Sequence, residues 1–127
     1  MTKRTTVVVD TNIILRLLLG DIKNQFETAK KVFVQIEEGT KAGSVSLLVL
    51  HELLWILEHY YEKSRSDFVP QLMQLLSIKY LKMMEVKKRD VMVILEQMKK
   101  TNLDFTDCYL GLLKLSKAEI IARYAYT

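Results

Sequence analysis

The sequence predicts an α/β fold, a three-layer α/β/α arrangement with a short central parallel sheet. Three observations carry this. A β-branched run, "TTVVV", opens the chain and ends on Asp10. Short segments of strand character then alternate with one or two segments of helical period along the whole length. Alternation of this kind closes as parallel strands with helices packed on both faces.

Taken in order, Thr5–Asp10 reads as the first strand. Ile13, Ile14, Leu17 and Leu18 follow at helical spacing, and Gly20 offers a stop. Asp21 or Asn24 can cap a second helix, "QFETAKKVFVQIEEG". Its Phe26, Ala29, Val32, Phe33 and Ile36 form one apolar stripe, with Glu27, Lys30, Lys31 and Glu38 mostly away from it. "KAGSVSL" is a second strand, and Ser46 is a suitable N-cap for "LLVLHELLWILEHYYEK". That helix is apolar nearly all round in its first three turns, which predicts a central position. "SRSDFVPQLMQLLS" is a further helix, capped by Ser64 or Ser66, with Pro70 tolerable near its start. "YLKMMEV" reads as a third strand. "KRDVMVILEQMKK" is a helix with Asp90 in its first turn and Lys99-Lys100 in its last, as the macrodipole favours. "LDFTDCYLGLLKLSK" is the last helix, reached through the polar break Thr101-Asn102, and "AEIIARYAYT" reads as a final strand.

The chain of 127 residues suits one domain over 1–127 with one core. Four Gly and one Pro argue for short loops, and no Ser-, Gly- or Pro-rich stretch marks a linker. A single cysteine, Cys108, excludes an intrachain disulfide framework and a Cys-rich zinc site. "MTKRTTVVVD" lacks the apolar core of a signal peptide, and "VSLLVLHELLWIL" is too short to span a bilayer and carries His51 and Glu52. A cytoplasmic protein with no membrane association is therefore expected. The net charge of +4 would help a polyanion approach but does not by itself name one.

Three acids stand in apolar surroundings. Asp10 ends the first strand, Glu52 lies within "LLVLHELLWIL", and Asp107 lies in "DFTDCYLGLL", with Asp104 three residues earlier. A buried carboxylate costs several kcal/mol unless it is paired, hydrogen-bonded or bound to a metal. For any one of them a cap or an ion pair is the simpler account, and Asp104 has the position of an N-cap. If they converge, a hard divalent cation such as Mg²⁺ or Mn²⁺ is the natural partner, since it takes oxygen ligands. Sites in α/β sheets gather beyond the carboxyl ends of the strands, where Asp10 stands. The two histidines, His51 and His59, show no metal-ligand spacing and read as packed or surface residues. Arg16 is the basic residue best placed to grip a phosphate. Lys87-Lys88-Arg89 and Lys99-Lys100 read as solvated faces.

The strand and helix "VVVDTNIILRLLLGD", the glutamate in "SLLVLHELLWIL" and the late "LDFTDCYLGLL" together resemble a PIN domain, and more narrowly the toxin ribonucleases of VapBC-type toxin–antitoxin pairs. The resemblance covers essentially the whole chain. It implies an endoribonuclease that hydrolyses RNA phosphodiester bonds with Mg²⁺ or Mn²⁺ held by Asp10, Glu52 and Asp107, with Asp104 a less regular companion. Thr11 and Asn12 would orient Asp10 or a water. It also implies a homodimer and a cognate antitoxin protein that occupies the cleft. The leucines Leu15, Leu17, Leu18 and Leu19 suit either an oligomer surface or a helix packed on two sides within the monomer. The family often has a fourth acid just after the final strand. "IIARYAYT" reaches Thr127 without one, which leaves two expectations open: a C-terminus cut short, or a non-catalytic PIN-fold domain that binds RNA or protein.

Rival folds with an acid at a strand end fit less well. A haloacid-dehalogenase-type phosphatase needs a second Asp two residues after the first, where Asn12 stands. A response-regulator receiver needs an acidic pair near the N-terminus, and "TKRTTVVVD" has none. No Gly-rich phosphate loop is present.

Overall fold

The computed structural model describes residues 4–113. Strand β1 (Thr5–Val8) leads to α1 (Thr11–Leu19) and α2 (Lys23–Glu37), then β2 (Lys41–Val45). Helix α3 (Leu47–Trp55) runs into a π-helical turn, Ile56–Tyr60, followed by α4 (Arg65–Leu76). Strand β3 (Leu81–Met83), α5 (Lys88–Lys100) and α6 (Phe105–Leu112) complete the described part. The expected final strand over 118–127 lies outside the described residues.

The three strands form a parallel sheet in the order β1-β2-β3, with Val7 opposite Gly43 and Gly43 opposite Leu81. Successive strand residues point to opposite faces. Gly43, Ser44 and Val45 are nevertheless all buried, so β2 is covered on both sides. This is the α/β/α layering that the alternation predicts. Close packing explains why β2 carries a glycine: a Cβ on Gly43 would lie 2.6 Å from Leu81 Cδ1 and 2.7 Å from Ile36 Cδ1. By contrast β1 is mostly exposed among the described residues, and its burial begins at Val9, whose N–H donates to Ser44 O at 2.8 Å.

The helices pack by their apolar stripes. In α5, Val91, Ile94, Leu95 and Met98 are buried at the helical spacing that the sequence shows, and the helix keeps its expected bounds. Of the expected α2 stripe, Ala29, Phe33 and Ile36 are buried and Phe26 and Val32 partly buried. Each fully buried Val, Leu, Ile, Phe or Met of this kind stabilises the fold by roughly 1.5–3 kcal/mol. Helix α1 packs against α2, α3 and α4, which accounts for its run of leucines by packing on more than one side. Gly20 caps α1 with φ +61°, donating to Arg16 O at 3.0 Å.

Several local expectations change. Neither Asp21 nor Asn24 caps α2; the N-cap is Ile22, Asp21 pairs with Arg16, and the Asn24 side chain accepts from Gln25 N–H. Ser64 occupies the N-cap position of α4 without a side-chain bond to the helix, its hydroxyl instead meeting that of Ser66. Pro70 falls in the second turn of α4 rather than at its start, on the solvent side where the loss of one backbone donor is least costly. Helix α3 is not central all round. Leu50, Leu53 and Leu54 are buried, but Leu48 is 78% and Trp55 57% exposed. The helix after Trp55 also widens, with Tyr61 N–H reaching back to Ile56 O, and ends at Glu62 in the left-handed region at φ +52°. Lys88 is drawn inward rather than solvated: its Nζ donates to Ile78 O at 2.8 Å, and burial lowers its pKa.

Candidate active site

The carboxyl ends of the strands deliver their next residues to one rim of the sheet. Asp10 follows β1 and is the N-cap of α1, where its Oδ1 accepts from Ile13 N–H at 3.0 Å. Ser46 follows β2 and caps α3, the helix that carries Glu52. Glu85 follows β3 and reaches across to the same helix start. Its carboxylate accepts from Ser46 Oγ at 2.9 Å and from Leu47 N–H at 2.7 Å. The Leu47 and Ser46 bonds hold the Glu85 carboxyl below its ordinary pKa.

On α6 the two acids are joined by capping. Asp104 is the N-cap, and its Oδ1 accepts from Asp107 N–H at 2.8 Å. The expected N-cap role of Asp104 is therefore met, and the cap sets the backbone of Asp107. Cys108 is buried one residue on, a small core residue as expected. Burial pushes its thiol pKa up; Arg65 opposes the rise, and Asp104 and Asp107 add to it.

The premise that these acids are buried does not hold. Asp10, Glu52 and Asp104 are exposed and Asp107 is partly exposed. The physical reason is local. N-cap side chains turn back onto exposed helix ends, and Glu52 occupies the face of α3 opposite Leu50, Leu53 and Leu54. Burial thus places no demand for neutralisation on them. Helices α1 and α3 pack together, as do α5 and α6. Among the described residues, however, no three His, Cys, Asp or Glu side chains gather into a group able to hold a metal ion. The donor chemistry still fits such an ion. Carboxylate oxygens are the hard donors that Mg²⁺ and Mn²⁺ take, and Mg²⁺ keeps several waters and commonly uses one or two carboxylates plus substrate phosphates. A preassembled cage of three acids is not required.

Thr11 is buried as the first residue of α1, and Asn12 is exposed beside it. Arg16 lies in the last turn of α1 and pairs with Asp21 at 3.3 Å. It lines an open groove of about 530 Å³ with Asn12, Asn24, Gln25 and Thr28. A phosphate arriving there would compete with Asp21 for the guanidinium.

One residue escapes sequence reasoning altogether. Arg65, at the start of α4, pairs with Glu58 of the π-helical turn at 3.1 Å. Its Nη1 also donates to three backbone carbonyls: Met98 O at 3.0 Å, Thr101 O at 3.1 Å and Leu103 O at 2.7 Å. Those carbonyls belong to the end of α5 and the loop into α6, so Arg65 fixes the segment that presents Asp104 and Asp107. An arginine in "SRSDF" carries no local signal of contacts more than thirty residues away. Glu85 did carry a signal, since it is an acid just beyond a strand's carboxyl end.

The PIN domain family model matches residues 7–121. The chain belongs to the PIN domain family. The PIN domain is generally a nuclease fold acting on RNA or other nucleic acid, and its nucleases generally use divalent metal ions. A search among curated proteins finds no match to this chain. No helix among the described residues is long and apolar enough to cross a membrane.

Proposed function

We propose that this PIN domain is a metal-dependent endoribonuclease, the toxin of a toxin–antitoxin pair, with Asp10, Glu52 and Asp107 as its catalytic acids. The observation that carries the reading is the family membership together with the position of Asp10 at the carboxyl end of β1, on the rim where α/β folds hold their sites. Bound Mg²⁺ or Mn²⁺ would lower the pKa of a water and neutralise charge on the phosphoryl group.

The chain's own residues do the rest. The bond to Ile13 N–H fixes the orientation of Asp10, and the cap by Asp104 fixes the backbone of Asp107. The carboxylates of Asp10, Glu52 and Asp107 would hold the cation, directly or through its waters. Thr11 and Asn12 set the turn that carries Asp10 into α1. Arg16 exchanges Asp21 for a substrate phosphate. The same reading assigns the chain a cytoplasmic location, a homodimeric state and an antitoxin partner that covers the rim. The dimer is checked by size-exclusion chromatography with light scattering; a monomer mass would remove it.

The test is cleavage of a structured RNA such as tRNA with Mg²⁺ and again with excess EDTA. Turnover that needs the metal supports the reading; equal turnover in EDTA overturns it. A second reading, a non-catalytic PIN-fold domain that binds RNA or protein, is favoured by the capping bonds that already engage Asp10 and Asp104. It predicts RNA retention without cleavage under either condition.

A further inference from the structure

At the start of α6 lies a small cavity of about 200 Å³, lined by aromatic rings together with Leu54, Met98 and an ion pair. His51, Trp55 and His59, each four residues from the next, line it from α3 and the π-helical turn. The rings of Trp55 and His59 lie 5.1 Å apart at 41°, and His51 lies 5.5 Å from Phe105. Arg65 and Glu58 form an ion pair in its lining, and the same guanidinium is tied to the α5–α6 loop. Asp104 stands at its edge.

Two features set this cavity apart from a defect in packing. Trp55 is 57% exposed, one turn from the exposed His51 on the same face of α3. The rings that flank it are amphipathic, with nitrogen at their edges, rather than aliphatic. An exposed indole beside imidazoles is a poor core but a good stacking surface, because every nucleobase offers a π-face. Sequence-selective proteins take single-stranded RNA in this way, splaying a base out and stacking it on aromatic side chains. The volume suits one planar heterocycle rather than a whole nucleotide. Asp104, in the cavity lining, puts that heterocycle beside the N-cap of the helix that carries Asp107.

We propose that the Trp55–His59–His51 cavity is a subsite that stacks one unpaired base of the RNA substrate. The subsite rests on the ribonuclease reading and deepens it by making the substrate single-stranded at the point of cleavage. It assigns Trp55 a role in binding and selection, with no part in the chemical step.

Trp55 is the one tryptophan of the chain, so its fluorescence reports on this cavity alone. The probe is a single-stranded oligoribonucleotide of about ten residues, added in EDTA so that it is not cut. Saturable quenching of Trp55 emission is expected, weakened in His59→Ala. In cleavage assays with Mg²⁺, Trp55→Leu should raise KM about tenfold with kcat nearly unchanged. Trp55→Phe, which keeps a stacking face, should restore most of the loss. Thermal melting of both variants controls for folding. Cleavage that proceeds while Trp55 emission ignores the RNA overturns the subsite and leaves the ribonuclease reading intact. Quenching without any cleavage in Mg²⁺ supports the subsite as an RNA-binding cavity and removes the ribonuclease reading. Emission that follows protein concentration and ignores RNA assigns the face to a second copy of the chain and overturns the proposal.

Discussion

Arg65 shows how much of the site depends on a side chain far from the acids in sequence. Its side chain is 17% exposed and its pairing with Glu58 is partly screened from water. Replacing it with methionine would leave Glu58 without its partner and three carbonyls without a donor. Arg65→Met should lower stability by about 2–4 kcal/mol, read by thermal or urea denaturation; a loss below 0.5 kcal/mol would mean that the clamp is slack. Asp104 separates two roles in the same spirit. As the N-cap of α6, Asp104 should cost about 1 kcal/mol when replaced by Ala and almost nothing when replaced by Ser. If it also serves the chemistry, Asp104→Ser loses activity at wild-type stability. Neither role was separable by spacing alone, because a cap and a ligand both place an acid three residues before Asp107.

At the scale of elements, β2 is the most constrained. Gly43 faces Leu81 and Ile36 at distances no added Cβ can share, so Gly43→Ala should destabilise by about 1–3 kcal/mol. A midpoint unchanged in denaturant would show that the strand can shift to make room. The start of α3 is held by Glu85, and this makes its anchoring pH-dependent. The folded Glu85 carboxyl has a lowered pKa, owing first to the Leu47 N–H and then to Ser46. Its contribution is therefore present above the pKa of the unfolded carboxyl and is lost as pH falls through the lower folded value. Glu85→Gln should flatten that acid limb of the stability profile and leave the neutral-to-basic limb alone; an unaltered acid limb would exclude Glu85 as its source. Helix boundaries were legible where stripe and charge agreed, as in α5, whose bounds the residues Lys88–Lys100 announce. They were less legible in the stretch after Trp55. There Ile56, Leu57, Tyr60 and Tyr61 keep a helical spacing, and nothing in it distinguishes a π-helical turn from a regular one.

Across the whole molecule, the alternation of strands and helices made the layered sheet readable, and β2 buried on both faces is its consequence. The candidate acids were readable as residue types, Asp10 beyond a strand, Asp104 and Asp107 at a helix start and Glu52 within an apolar helix. Their exposure was not, because hydropathy around Glu52 and Asp10 measures neighbours along the chain and not the side to which a carboxylate points. The Arg65 clamp was hidden for the converse reason, since its partners come from distant sequence. One substitution separates charge from capping. Asn caps a helix as well as Asp does, so Asp10→Asn keeps the start of α1 and removes the carboxylate charge alone. The direct measurement is the single-turnover cleavage rate of Asp10→Asn on structured RNA at saturating Mg²⁺, with its melting temperature measured beside it. The account predicts an unchanged melting temperature and a rate lower by about a hundredfold or more. A wild-type rate in this variant would contradict the assignment of Asp10, and with it the metal-dependent ribonuclease mechanism proposed for this chain.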